Sequence, residues 1–244
     1  MKIDARGLYY KDLNDKIRRS VAEGEDRIEL ENVNGQRYLG TGIKNGSLEL
    51  DVHGVPGNDL AAFMDGPTIN VHTNGQDAIG NTMNAGKVVI HGDAGDVIGH
   101  SMRGGKIFVR DNVGYRAGIH MKAYRDLFPV VVVGGTARDF LGEYMAGGLL
   151  VVLGLGGNGS EIAGNYIGTG MHGGEIYIRG EVEEYQLGKE VGIKEPTDKD
   201  IDKLRVYLSE YAENFDLDVE DILTSDFIKI TPETHRPYGK IYAY

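Results

Sequence analysis

The chain of 244 residues contains no cysteine. That absence excludes thiol catalysis, cysteine-ligated zinc, disulfides and thiolate-held iron–sulfur clusters within this polypeptide. Proline is scarce, at six residues, while glycine reaches 37. Long apolar runs are missing too. The longest, Phe128 to Val133, falls far short of the roughly 20 residues a membrane-spanning helix needs. The opening Met1-Lys2-Ile3-Asp4 has no basic stretch leading into an apolar one, so no secretory signal is expected and the chain reads as cytoplasmic. Basic residues are the minority, 26 Lys and Arg against 37 Asp and Glu, and the net charge of −11 argues against a nucleic-acid surface. No Walker loop and no Ser–His–Asp order is present.

What is present is a repeat. Apart from Met1 there are six methionines, Met64, Met83, Met102, Met121, Met145 and Met171, at intervals of 19, 19, 19, 24 and 26 residues. Three residues before each stands Gly or Ala, and two residues after each stands another small residue. Alternating segments follow, such as Lys87-Val88-Val89-Ile90 and Lys106-Ile107-Phe108-Val109. Self-similarity at this period is the mark of a solenoid. A 19-residue unit cannot hold two packed helices, but it can make one coil of a β-helix, two or three short strands joined by glycine bends. Period-two alternation puts Ile69, Val71, Val88, Ile90, Ile107 and Val109 on one face. The methionines become a packing column, because an unbranched thioether fills irregular gaps. Six sulfurs spread along an axis do not converge as metal ligands must.

The period is broken twice, by insertions around Lys122–Phe128 and Leu155–Glu161, which repeat arrays usually carry as outside loops. Residues 1–38 read as an α/β cap, with a helix over 11–23 and a strand at Arg27–Glu31. The coils occupy 39–180. Residues 181–244 form a C-terminal appendage that lies along the solenoid or reaches a partner. Glu181–Glu195 is expected to be irregular. A helix opens at Pro196-Thr197 with Thr197 and Asp200 at capping-box spacing, a short helix follows near Val219–Leu223, and Phe227–Pro232 reads as a strand before an extended tail to Tyr244.

Candidate chemistry is thin. His53, His72 and His91 share one repeat position and should stack outward, with Arg110 next in line. A zinc site wants ligands converging on one point, so a solvated ladder is favoured. His100, His120 and His172 sit at different offsets from methionine and form no column. Asp77 and Asp96 could act as paired carboxylates on a polysaccharide, yet Asp at a bend is ordinary turn chemistry. Gly154-Leu155-Gly156-Gly157-Asn158-Gly159 fits a dinucleotide pattern but lacks the required βαβ context. No catalytic, cofactor-binding or metal residue is assigned on this basis.

Gly92-Asp93-Ala94-Gly95-Asp96-Val97-Ile98-Gly99, followed by Met102-Arg103-Gly104-Gly105-Lys106-Ile107-Phe108-Val109, resembles the GXGXG-type β-helix domain of the glutamate synthase large subunit. Glu143-Tyr144-Met145-Ala146-Gly147-Gly148-Leu149-Leu150-Val151-Val152-Leu153-Gly154 is similar to that family's most recognisable stretch. The likeness covers about residues 37–180, and the tail His235-Arg236-Pro237-Tyr238-Gly239 resembles stand-alone, archaeal-type forms. The resemblance implies an all-β fold, a right-handed single-stranded parallel β-helix of about seven coils. It also implies a non-catalytic brace between a glutaminase-type amidotransferase and an FMN- and iron–sulfur-bearing synthase, with cofactors on those partners and none here. Self-association is left open; nucleic acid and membrane are not expected partners. Two alternatives remain. The repeat is also similar to the non-catalytic β-helix subunit of formylmethanofuran dehydrogenase, and a free-standing carbohydrate-active β-helix enzyme would use the bend aspartates.

Overall fold

The computed structural model describes residues 1–156 and 161–233. Its elements run in the order β1 (Lys2–Asp4), α1 (Tyr10–Ala22), β2 (Arg27–Asn34), β3 (Glu49–Val55), β4 (Asp65–Val71), β5 (Ala85–Ile90), β6 (Gly105–Val109), β7 (Pro129–Val133), β8 (Ala146–Val152), β9 (Gly173–Arg179), a 3-10 turn (Glu184–Gln186), β10 (Val191–Lys194), α2 (Asp198–Phe215), α3 (Val219–Leu223) and β11 (Phe227–Pro232). The strands make one sheet. From β1 to β9 each pairs in parallel with the next in sequence, which is a parallel β-helix.

Each coil contributes one strand rather than two or three. The other sides of the coil are bends, because several residues in every repeat take the left-handed conformation, as Ala78, Gly80 and Thr82 do in one and Val97, Gly99 and Ser101 in the next. Gly80 needs its missing side chain twice over: its φ is +70°, and a Cβ there would come within 2.4 Å of Ile107 Cδ1.

The six methionines form one buried file. All are 0% exposed. Each N–H closes a tight turn on the carbonyl three residues back, as Met83 does to Gly80 at 3.0 Å and Met102 to Gly99 at 3.1 Å. Each carbonyl from Met64 to Met145 accepts from the residue after the next methionine, for example Met83 O from Arg103 N at 2.9 Å. Stacking of the thioethers is therefore imposed by the backbone ladder. The same turn recurs with other side chains at the two ends. Ile43 closes on Gly40, and Val191 closes on Gly188. Residues 181–195, expected to be irregular, thus continue the solenoid path through the 3-10 turn and β10. Val191 stands where the pattern would place a methionine, so the methionine spacing does not mark this coil.

Side chains pointing into the coil make the main core, from Leu30 and Val52 through Val71, Ile90, Val109, Val133 and Val152 to Ile178. Leu13 and Ile17 of α1 join it at the N-terminal end. The outer face of the sheet holds a second core. One register file runs Lys2, Glu29, Asp51, Asn70, Val89, Phe108, Val132, Val151, Tyr177. It changes from charged to apolar at Val89. From there on α2 covers it, with Leu204, Leu208 and Tyr211 packed on Phe108, Val132 and Val151. Burial of each such side chain is worth about 1.5–3 kcal/mol. Helix α2 begins with the expected capping box of Thr197 and Asp200. The chain then returns as β11, which inserts antiparallel between β9 and β10. The segment His235–Gly239 lies outside the described residues.

Candidate functional site

Three surfaces carry polar chemistry. On the uncovered part of the outer sheet face, His53 and His72 stack with ring centroids 4.4 Å apart and planes at 7°. His72 and His91 stack at 5.5 Å and 16°. The file ends where His91 meets the edge of Phe215 at the end of α2, 5.2 Å away. The rings lie one above another and share no common centre. His53 Nε2 faces Glu29 at 3.4 Å and His72 Nε2 faces Asp51 at 3.2 Å. Burial lowers the His91 pKa, with the neighbouring His72 and Arg110 adding to the effect. Arg110 turns away to chelate the Asp111 carboxylate.

The bends are held by a second kind of ladder. Asn74 Oδ1 accepts from Asp93 N at 3.1 Å, Asp93 Oδ1 from Asn112 N at 3.0 Å, and Asn112 Oδ1 from Thr136 N at 2.9 Å. Beside it, Asp77 Oδ1 accepts from Asp96 N at 2.9 Å and Asp96 Oδ1 from Tyr115 N at 2.8 Å. Asp77 and Asp96 are consecutive rungs of one structural ladder. Each satisfies a backbone donor of the coil above, which is the turn role expected of an Asx side chain. Between the ladders and the second insertion opens a groove of about 1090 Å³, lined by Asp93, Asp111, Tyr115, Arg138, Asp139 and Glu161 among others.

The third surface is the turn edge leading into the methionines. Arg116 lies 4.4 Å over Phe140, and Phe140 stacks on Tyr166 at 4.9 Å and 13°. All three stand five residues before a methionine. One column over, His120 stacks on Tyr144 at 5.2 Å and 11°, both directly before a methionine. His100 approaches His120 at 6.1 Å, so two of the three histidines expected to be unrelated are neighbours. Stacked coils bring offsets −2 and −1 side by side. Tyr115, Tyr144 and Tyr166 are exposed. Tyr144 repeats the methionine offset of His120, and Tyr166 that of Arg116 and Phe140; this recurrence was the signal in the sequence that could have singled these two out.

The dinucleotide pattern receives no support from its surroundings. Gly154 follows β8, residues 157–160 lie outside the described residues, and Ala163 already bridges Ala137 in the coil below. Among the described residues, Glu29, Glu31 and His53 are the group whose donor atoms approach one another as metal ligands would.

The model of the GXGXG-motif family matches residues 26–234. The chain belongs to the GXGXG-motif family. The match spans β2 through β11, so it takes in the covering helix α2 as well as the coils. An uncharacterized protein of Methanocaldococcus jannaschii is 53% identical over 248 residues, covering 98% of this chain and 95% of that protein. The GXGXG domain is associated with the large subunit of glutamate synthase. None of the described helices is long and apolar enough to cross a membrane.

Proposed function

We propose that this GXGXG protein is a non-catalytic scaffold subunit of a multi-chain glutamate synthase. It braces a glutaminase-type amidotransferase chain against an FMN- and iron–sulfur-bearing synthase chain in the cytoplasm. Membership of the GXGXG family over residues 26–234 carries the reading. Three further observations support it. The chain has no cysteine, so thiolate ligands for a cluster would have to come from another polypeptide. The carboxylates best placed to be catalytic, Asp77 and Asp96, are engaged as acceptors for backbone donors. The turn edge exposes tyrosine beside arginine and histidine, a composition that suits protein contact.

Two experiments test it. Affinity capture of the tagged chain from its native cell should bring down both an amidotransferase chain and a flavin-dependent synthase chain, identified by mass spectrometry. Reconstitution should then give glutamine-dependent glutamate formation that falls when this chain is left out. A chain that purifies alone under gentle conditions, or partner activity indifferent to its omission, overturns the scaffold reading.

A further inference from the structure

The bare part of the outer sheet face is built differently from the part under α2. On strands β1 to β3 it is charged, and its side chains are held by paired backbone. Glu29 and Glu31 lie two residues apart on one face of β2, and His53 projects from the same face of β3, two residues beyond Asp51, the register partner of Glu29. One oxygen from each glutamate and one ring nitrogen of His53 all lie within 4.8 Å of one another. His53 Nε2 is already 3.4 Å from a Glu29 oxygen. A four-coordinate ion with bonds of about 2.0–2.2 Å needs donors roughly 3.4 Å apart, so the side chains have at most about 1.4 Å to close.

A cation already marks the spot. The Lys2 ammonium sits 3.0 Å from a Glu29 oxygen and 3.0 Å from a Glu31 oxygen. Positive charge is stabilised between these carboxylates, and its present holder is a 59% exposed side chain on a three-residue edge strand. Exposed ion pairs of this kind hold their partners weakly. The neighbouring Asp51 is committed elsewhere, to Arg27, Asn70 and His72.

We propose that Glu29, Glu31 and His53 form a binding site for a divalent transition-metal ion of the zinc class, with Lys2 as a tethered competitor. One imidazole and two carboxylates suit zinc better than calcium, which takes six to eight oxygens. Three protein ligands leave a coordination position toward solvent, since α2 covers the sheet only from Val89 onward. The proposal does not depend on the scaffold reading.

The test uses the full chain without an affinity tag, zinc ion alone as the calorimetric probe, and cobalt(II) as the optical one. One zinc per chain is expected. His53→Asn and Glu31→Gln should each weaken it about tenfold or more, and Lys2→Met should tighten it about tenfold by removing a like charge. Circular dichroism checks that the variants fold. The Lys2→Met chain needs no loss of function to be informative. If it takes up no zinc and gives no cobalt d–d spectrum, the proposal fails. Binding that His53→Asn leaves unchanged places the ion on other histidines and also overturns it.

Discussion

The Tyr177 hydroxyl donates a 2.7 Å hydrogen bond to the Asp200 carboxylate, pinning the first turn of α2 to the outer face of β9. The same carboxylate accepts from Lys229 of β11 and from both the N–H and the hydroxyl of Thr197. Lys229 and Lys203 also reach Glu175 of β9. One aspartate therefore joins helix cap, coil and capping strand. Burial alone would raise the Asp200 pKa, but the hydrogen bonds from Lys229, Thr197 and Tyr177 outweigh it and hold the carboxyl well below the usual range.

Asp200→Ala leaves Tyr177 and Lys229 without their shared acceptor and should cost about 2–4 kcal/mol in urea denaturation near neutral pH. A carboxylate with a depressed pKa stabilises the fold above the ordinary carboxylate range, and that stability disappears as pH falls through the folded-state value. The gap between wild type and Asp200→Ala should accordingly narrow below about pH 4. A gap independent of pH would show that the aspartate acts by shape alone.

The methionine file makes a size-dependent forecast. Met102→Ala opens a cavity between coils that are fixed by backbone bonds, so relaxation is limited and the loss should be about 2–5 kcal/mol. Met102→Leu keeps the volume and should lose less than about 1.5 kcal/mol. Chemical denaturation of the two variants side by side checks the ordering.

Asp96→Asn retains the Oδ1 acceptor for the Tyr115 N–H and should shift stability by no more than about 0.5 kcal/mol, whereas Asp96→Ala should lose about 0.5–1.5 kcal/mol. Thermal melts separate the two. If a glycoside-hydrolysing activity were found and lost in Asp96→Asn, the structural assignment of this rung would be wrong.

His91 supplies a pH dependence of its own. Its pKa is lowered in the folded chain by burial, with His72 and Arg110 adding to the effect. Below about pH 6.5 the unfolded chain takes up a proton that the folded chain accepts only at lower pH, so stability falls as pH drops. His91→Phe, which keeps a ring against Phe215, should flatten the melting temperature between pH 7.5 and 5.5.

Much of this architecture was legible from local spacing. The methionine file, α1, the α2 capping box, α3 and β11 all follow from periodicities and caps that a short window contains. The His53–His72–His91 stack follows from a repeat position alone. The second core did not. Alternation implies one buried face, although Val130–Val133 and Leu149–Leu153 are unbroken apolar runs of the kind that strands buried on both faces carry. The pairing of α2 with those outer residues is a long-range fact that no local pattern states. The same holds for β11 entering between β9 and β10. The metal-like group of Glu29, Glu31 and His53 was invisible for a related reason: it joins two strands across a loop of irregular length.

The way the column ends at β11 and β10 has a consequence for growth. A column of parallel coils ends in a row of open hydrogen-bonding groups that suits another coil of the same kind, and identical molecules could add there without limit. Here the strand set against β9 runs the opposite way, and beyond it, among the described residues, lies only the four-residue β10. The outermost strand β10 reverses once more and so runs parallel to β9, but it offers an arriving molecule an edge of only four residues. So short an edge discourages filament formation through that tip.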